Sequence, residues 1–103
     1  MGGFIGQLFS VRHPDRVRSL TLCDTACVMP PVSLWDDRIK IAKTEGVEGL
    51  IEGTLSRWFT EQFQRTNDKD VQKICDMIRT TGVQGYINCA KAIRDMDQCH
   101  TLK

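Results

Sequence analysis

The sequence predicts a mainly helical fold in which one helix and one strand precede four further helices. Apolar residues recur every three to four positions through most of the chain, which is the period of a helix with one buried face. Only residues 17–23 show the short, loosely alternating pattern of a strand. The length of 103 residues allows at most one domain with a modest core.

The first helix is predicted over residues 2–12 and the strand over residues 17–23. The helix ends before Pro14, because the residue that precedes a proline disfavours the helical region. An isolated strand leaves N–H and C=O groups unpaired on both edges, and even two strands alone are marginal in water. We therefore expect the strand to pair with its copy in a second chain, giving a homodimer or a higher oligomer.

Four helices are predicted to follow, each with an apolar stripe. The first begins at Ser33 and stops near Gly46, the second covers residues 47–58, and the third begins after the N-cap residue Asn67. A short aromatic segment, residues 59–63, connects the second helix to the third. The predicted stripes are Trp35, Ile39 and Ala42; Val47, Leu50, Ile51, Thr54, Leu55 and Trp58; Val71, Ile74, Cys75 and Ile78; and Val83, Tyr86, Ile87, Ala90 and Ile93.

The composition excludes several classes of protein. Hydrophobic residues make up 41% and charged residues 26%, which is typical of a globular domain rather than a disordered one. A net charge of +1 gives no reason to expect nucleic acid or an anionic membrane as a partner. No signal peptide or membrane span is expected. The five cysteines cannot form a complete disulfide framework within one chain, so a reduced, cytoplasmic protein is the simplest interpretation.

Several segments resemble a known family. Residues 1–3 (MGG), 12–17 (RHPDRV) and 22–26 (LCDTA) resemble the α/β-hydrolases from the end of the nucleophile elbow, G-x-S-x-G, through the next core strand. Residues further along resemble the helical cap of 3-oxoadipate enol-lactonases: 35–39 (WDDRI), 46–47 (GV), 57–60 (RWFT) and 85–97 (GYINCAKAIRDMD).

The resemblance implies a division of the chain and an activity. Residues 1–26 would be a remnant of the hydrolase core, and residues 27–103 would be the helical cap. Enzymes of this family hydrolyse an enol-lactone in the β-ketoadipate route of aromatic degradation, and the resemblance implies no cofactor.

The resemblance also implies a few site residues. The backbone N–H of Met1, which would follow the nucleophilic serine, would be an oxyanion-hole donor. Gly2 and Gly3 would allow the tight elbow and close packing of the helix. Trp58, Arg57 and Trp35 would bind substrate, with Arg57 meeting a substrate carboxylate. The family's nucleophile, acid and histidine have no counterpart in this chain, so no catalytic residue is assigned and the chain is expected to be catalytically incomplete.

His13, Asp24 and the tryptophans can each have a structural role instead of a catalytic or ligand-binding one. His13 is expected to pack at a helix-ending turn rather than act in catalysis. Asp24 is either a strand-ending turn residue or, as in some α/β-hydrolases, the acid of the triad. The tryptophans are either core anchors or ligand contacts.

The cysteines near the two ends of the predicted cap are weighed in the same way. Cys23 and Cys27 have no second pair at zinc-finger spacing, so buried thiols are favoured over a metal site. His100 next to Cys99 is favoured as a tail position over a Cys-His dyad or a metal ligand.

Two functions from different classes remain. The chain is either a truncated serine hydrolase, which meets a small ester or lactone only if the missing core completes the site, or a stand-alone helical cap module. In the second case an apolar patch with Trp58, Phe59 and Phe63 would bind a second copy or another partner.

Overall fold

The computed structural model describes residues 1–102 and is built almost entirely from α-helices. In that part of the chain there are six: α1 (Gly2–Arg12), α2 (Val32–Thr44), α3 (Ile51–Trp58), α4 (Glu61–Thr66), α5 (Asp68–Arg79) and α6 (Val83–Asp95). The predicted mainly helical fold is confirmed. Lys103, the last residue of the predicted cap, lies outside the described residues.

Helix α1 has the predicted bounds. The backbone N–H of His13 donates to Phe9 O at 2.8 Å, which closes the last turn. Residues Pro14–Arg16 then form a single 3-10 turn. The proline after His13 therefore ends the helix, as the sequence predicts.

The predicted strand over residues 17–23 is not formed among the described residues. Val17 has extended backbone angles (φ −121°, ψ 111°), but the segment has no regular secondary structure, and Leu20 and Leu22 are exposed. The physical reason is that a strand is held by its neighbours, and the described part of the chain supplies no partner strand. Pairing of this segment with a second chain stays a prediction.

The helices after residue 31 follow the predicted stripes, with differences at their ends. The N-cap of α2 is Pro31 rather than Ser33, whereas Gly46 follows the helix with φ +73° and is the predicted stop. The second predicted helix is a 3-10 turn, Glu48–Leu50, continued by α3. Helix α4 overlaps the segment predicted as a connection, residues 59–63, and extends three residues beyond it. Its N-cap Thr60 accepts a hydrogen bond from Phe63 N at 3.2 Å.

The core lies where α2 packs against α6. Six buried residues form it: Trp35, Ile39, Ala42, Leu50, Ile87 and Ala90. At its edge Arg94 Nη1 donates to Asp36 Oδ1 at 2.7 Å, which joins α6 to α2 through a partly exposed ion pair. The core is therefore made by helices of the predicted cap.

A disulfide between Cys27 and Cys99 corrects the expectation of a fully reduced chain. The Cα atoms lie 4.9 Å apart, although 72 positions separate the two residues. An odd number of cysteines excludes a complete framework but not one pair, and only the tertiary fold brings these two together. Of the remaining cysteines, Cys75 is buried, and Cys23 and Cys89 are exposed.

Backbone pairing next to the disulfide also holds the two ends of the helical region together. Val28 and Asp97 form an isolated antiparallel bridge, and Gln98 N donates to Cys27 O at 2.9 Å. The chain thus enters and leaves the helical region at the same place.

None of the described helices combines the length and the apolar character that crossing a bilayer requires.

Candidate functional site

A small apolar cavity, here called the Trp58 cavity, lies beside helix α3. Its volume is about 200 Å³. It is lined by Val47, Leu50, Thr54, Trp58, Ile78, Thr81 and Tyr86. A second hollow of about 190 Å³ shares Trp58, Ile78 and Thr81 with it. The Trp58 side chain, 63% exposed, is therefore a wall common to both spaces and is available to a ligand.

The two tryptophans that the resemblance assigned to substrate have different environments. Trp35 is only 8% exposed, and its Nε1–H donates to Met29 O at 2.9 Å. It belongs to the core of this structure, and its interpretation as a substrate contact stays a prediction. Burial of a large aromatic ring whose N–H is satisfied is what a core anchor requires. Trp58 remains the candidate.

Arg57 lies next to the Trp58 cavity. Its Nη2 donates to Thr54 Oγ1 at 3.4 Å, and Thr54 lines the cavity. The side chain is exposed and forms no ion pair with another described residue. Its predicted contact with a substrate carboxylate is compatible with this position.

Two residues near this cavity have electrostatic properties that the sequence did not reveal. Burial, and then the positive charge of Arg57, lower the pKa of Arg38. Burial raises the pKa of Tyr86, and the charges of Arg38 and Arg57 oppose that rise. The stripe pattern predicted Tyr86 as a core residue only, and no sequence signal indicated that the charges of two arginines act on it.

The start of α1 is the segment that the resemblance assigns to the nucleophile elbow. Met1 is the N-cap residue of α1, so the positive end of the helix dipole lies at this residue, and its role as an oxyanion-hole donor stays a prediction. Gly3 packs tightly, because a Cβ atom there would lie 2.6 Å from Thr25 Cβ. Gly2 has open space around it, so its predicted close packing is not formed among the described residues.

No hydrogen bond joins His13, Asp24, Ser10 or Ser56 to one another among the described residues. The His13 ring packs against the Phe9 ring in a tilted arrangement, with centroids 4.9 Å apart, and His13 is exposed. Asp24 is exposed and adopts φ +47°, a left-handed conformation that aspartate tolerates in turns. The hydroxyls of Ser10 and Ser56 donate to backbone carbonyls.

The Cys27–Cys99 disulfide also distinguishes between the interpretations of Cys23, Cys27 and Cys99 that the sequence left open. Cys99 is bonded to Cys27, so neither a thiol dyad with His100 nor a metal site at Cys23 and Cys27 is available. The expectation that Cys23 and Cys27 are buried thiols is wrong as well, because Cys23 is exposed. Among residues 1–102, no cluster of His, Cys, Asp and Glu side chains is placed to hold a metal ion.

Comparison with known proteins identifies relatives for nearly the whole chain. It is 25% identical to 3-oxoadipate enol-lactonase 2 and 28% identical to 3-oxoadipate enol-lactonase 1, both from Acinetobacter baylyi. Each match spans 97 residues, which is 94% of this chain but only 36% of the relative. No protein-family profile matches the chain.

A solved structure gives the same result. The crystal structure of a hydrolase from Pseudomonas aeruginosa superposes with a TM-score of 0.83 and 27% identity, over 93% of this chain and 37% of the hydrolase. The chain thus spans about a third of the length of the proteins that it matches. The chain is therefore similar to one part of α/β-hydrolases such as the 3-oxoadipate enol-lactonases.

Proposed function

We propose that this chain forms the elbow-helix and cap portion of a serine hydrolase that acts on an ester or lactone, and that it is catalytically incomplete on its own. The observation that carries the proposal is the agreement of sequence and fold: both curated relatives are named 3-oxoadipate enol-lactonases, and the hydrolase fold matches at a TM-score of 0.83. An enol-lactone is accordingly the first substrate to test.

In this proposal residues 1–26 belong to the hydrolase core and residues 27–103 to the cap. The closure at Cys27 and Cys99 supports the boundary, because it ties together the two ends of the helical region. The residues before it make their own contacts with α1: the Gln7 side chain is buried, and its Nε2 donates to Ala26 O at 3.1 Å.

Catalytic incompleteness is supported by the surroundings of the serines and histidines. A serine becomes nucleophilic when a histidine accepts its proton. Ser10 Oγ donates to Gln7 O at 2.8 Å, and Ser56 Oγ donates to Gly53 O at 3.2 Å, so both hydroxyls are engaged within their own helices. The ring of His13 rests on Phe9 instead.

In the completed enzyme Trp58 and Arg57 would bind substrate, and the backbone of Met1 would donate to the oxyanion. Trp58 offers an exposed aromatic face beside an apolar cavity, and Arg57 offers a free guanidinium at its edge. The N-terminus of α1 offers the positive end of a helix dipole.

A chimera tests this function. The matching third of the A. baylyi 3-oxoadipate enol-lactonase 2 is replaced by residues 2–102 of this chain, so that the host enzyme keeps its own nucleophile, acid and histidine. We expect hydrolysis of the enol-lactone, and a large loss of kcat/KM when Trp58→Ala is added. A folded chimera whose hydrolysis does not depend on Trp58 would count against the proposal, and Arg65→Gln on the exposed side of α4 is the matched control.

Self-association is the second candidate, and exposed apolar side chains favour it. Ile5, 59% exposed, and Phe9, 44% exposed, line the same shallow hollow on α1, and contiguous exposed apolar surface marks an association site. Sedimentation velocity over a range of concentrations tests this. A dimer or larger species is expected, and a monomer at tens of micromolar would contradict it.

A further inference from the structure

Residues 18–24, here called the 18–24 edge, are exposed, and their backbone forms no hydrogen bond with any residue that the structure describes. The nearest backbone groups with partners lie outside this edge. Val17 N donates to Pro14 O at 3.3 Å, and Ala26 O accepts from Gln7 Nε2 at 3.1 Å. A row of unpaired N–H and C=O groups is what an edge strand offers to another strand.

Helix α1 lies against one face of this edge. A Cβ atom on Gly6 would lie 3.4 Å from Leu20 Cδ1, so the Leu20 side chain packs on the helix. Side chains alternate along a strand, so in strand geometry Leu22 lies on the same face as Leu20. Two strands alone are marginal in water, but strands that pack against a helix are not. The chain therefore supplies the support that a pair of such strands needs.

The sequence of the 18–24 edge is complementary to itself in one antiparallel register. When Thr21 faces Thr21 of a second copy, Leu20 faces Leu22 of that copy. In the same register Arg18 faces Asp24 of the second copy. A two-fold axis repeats the leucine pair and the charged pair. Facing threonines and opposite charges stabilise antiparallel strands, and facing leucines remove apolar area from water.

Neighbouring registers lack this match. Pairing centred on Leu20 puts Arg18 opposite Leu22, and pairing centred on Leu22 puts Asp24 opposite Leu20. A shift by a single residue turns one strand over, which places the two α1 helices on opposite faces. Only the register centred on Thr21 sets leucine against leucine and opposite charges against each other, with both helices on one face.

Arg18 and Asp24 are available for the charged pair. Both are exposed, and neither forms an ion pair with another described residue. Asp24 adopts φ +47°, so strand geometry ends at this residue. The stretch between the two charges, residues 19–23, has the usual length of a strand.

We propose that the 18–24 edge is an interface at which two copies of this chain pair as antiparallel strands. Thr21 lies at the two-fold axis, and an Arg18–Asp24 ion pair lies at each end. This inference deepens the second candidate function and rests on it only in that the chain self-associates. It differs from association through the hollow at Ile5 and Phe9, which requires neither of the two charges.

Charge reversal tests the pairing in the full, disulfide-bonded chain. Arg18→Asp and Asp24→Arg each set like charges opposite one another at both ends of the interface. Sedimentation velocity at low salt should therefore show a dimer Kd raised about tenfold or more for each variant. Arg65→Asp on α4 and Asp37→Arg on α2 make the same charge changes at other exposed positions, and these controls should leave the Kd unchanged.

An equimolar mixture of the two variants tests the register. In a heterodimer of Arg18→Asp with Asp24→Arg, opposite charges face each other again at both ends. The mixture should therefore recover the Kd of the unmodified chain to within about threefold. Both substitutions lie at exposed positions without described partners, so the fold of each chain is retained.

Hydrogen exchange locates the interface independently. The amides of residues 19–23 have no partner within the chain and should exchange rapidly at concentrations where the monomer dominates. At concentrations where the dimer dominates, alternate amides of this stretch donate to the second copy and should exchange about tenfold or more slowly. Arg18→Asp should abolish that protection at the same concentration.

A dimer whose Kd is the same in the charge variants and the controls would overturn this interface and leave self-association standing. So would a dimer in which the amides of residues 19–23 exchange as fast as in the monomer. A mixture that associates as weakly as the single variants would overturn the pairing of Arg18 with Asp24. A monomer at tens of micromolar would instead remove both the interface and the second candidate function.

Discussion

Cys27 and Cys99 are covalently joined across 72 positions of sequence, with Cα atoms 4.9 Å apart. The bond lies where the chain enters and leaves the helical region, next to the backbone bridge between Val28 and Asp97. Helices α2 to α6 all lie within the loop that the bond closes. The bond therefore joins the two ends of this helical region.

Reduction of this bond should lower the stability of the chain. A cross-link over a loop of this length removes conformational entropy from the unfolded chain and contributes up to ~4 kcal/mol. Thermal unfolding followed by circular dichroism should show a lower Tm with reductant. Cys99→Ser should reproduce the effect without reductant, and Cys89→Ser, which removes an exposed free thiol, should not. Equal Tm values for oxidised and reduced chain would contradict this account of the closure.

Gly3→Ala should destabilise the packing of α1. A Cβ at this position would lie 2.6 Å from Thr25 Cβ and 2.8 Å from Thr25 Cγ2, so the helix or the segment that follows residue 23 must move. Overpacking of this kind costs about 1–3 kcal/mol. Gly2→Ala is the matched control, since nothing lies within 4 Å of its added methyl group. Urea unfolding of both variants measures the difference, and equal stabilities would show that Gly3 tolerates a side chain.

Replacing each of the two tryptophans should affect the stability of the chain differently, because one ring is in the core and the other is exposed. Trp35→Ala removes a buried core side chain and should cost about 3–5 kcal/mol in the free energy of unfolding. Trp58→Ala removes an exposed side chain and should change that free energy by roughly 0.5 kcal/mol or less. Urea denaturation of the full chain compares them. A large loss for Trp58→Ala would mean that this ring has a structural role.

Tyr86 should titrate above its usual value of about 10, because burial raises its pKa. It is the chain's single tyrosine, so absorbance at the tyrosinate band reports it alone. Arg57→Gln should raise the midpoint further, since the charge of Arg57 lowers this pKa, while Arg65→Gln should leave it unchanged. If the Tyr86 midpoint were the same in Arg57→Gln as in the unmodified chain, the charge of Arg57 would have no effect on the Tyr86 phenol.

The raised pKa of Tyr86 also makes the free energy of unfolding depend on pH. The neutral phenol is favoured more strongly in the folded chain than in the unfolded chain. Its contribution is therefore fully present below the unfolded pKa of about 10 and is lost as the pH rises through the higher folded pKa. The chain should unfold more readily above that range, and Tyr86→Phe should remove this part of the dependence.

Local features of the fold could be predicted from the sequence. Pro14 ends α1, and Gly46 follows α2 with the positive φ that glycine adopts readily. Asn67 is the N-cap of α5 as predicted, and the predicted apolar stripes of α5 and α6 fall within the bounds of those helices. These signals act over a few residues and need no knowledge of distant ones.

Long-range features could not be predicted in this way. The segment of residues 17–23 has a strand pattern, but the pattern does not supply the partner that a strand needs. The odd number of cysteines could not reveal the bond from Cys27 to Cys99, and residue spacing could not show that the charge of Arg38 acts on Tyr86. The candidate site depends on such tertiary contacts, so only Trp58 and Arg57 were available from the sequence, through the resemblance.

Reaction with a fluorophosphonate probe tests the central claim that this chain carries the cap of a serine hydrolase without an activated serine. The purified, folded chain is incubated with the probe, labelling is read by intact mass, and hydrolysis of an ester and an enol-lactone is followed in parallel. The account predicts an unlabelled chain and turnover no faster than in protein-free buffer. Stoichiometric labelling of one serine, with hydrolysis that scales with protein and is blocked by the probe, would contradict it.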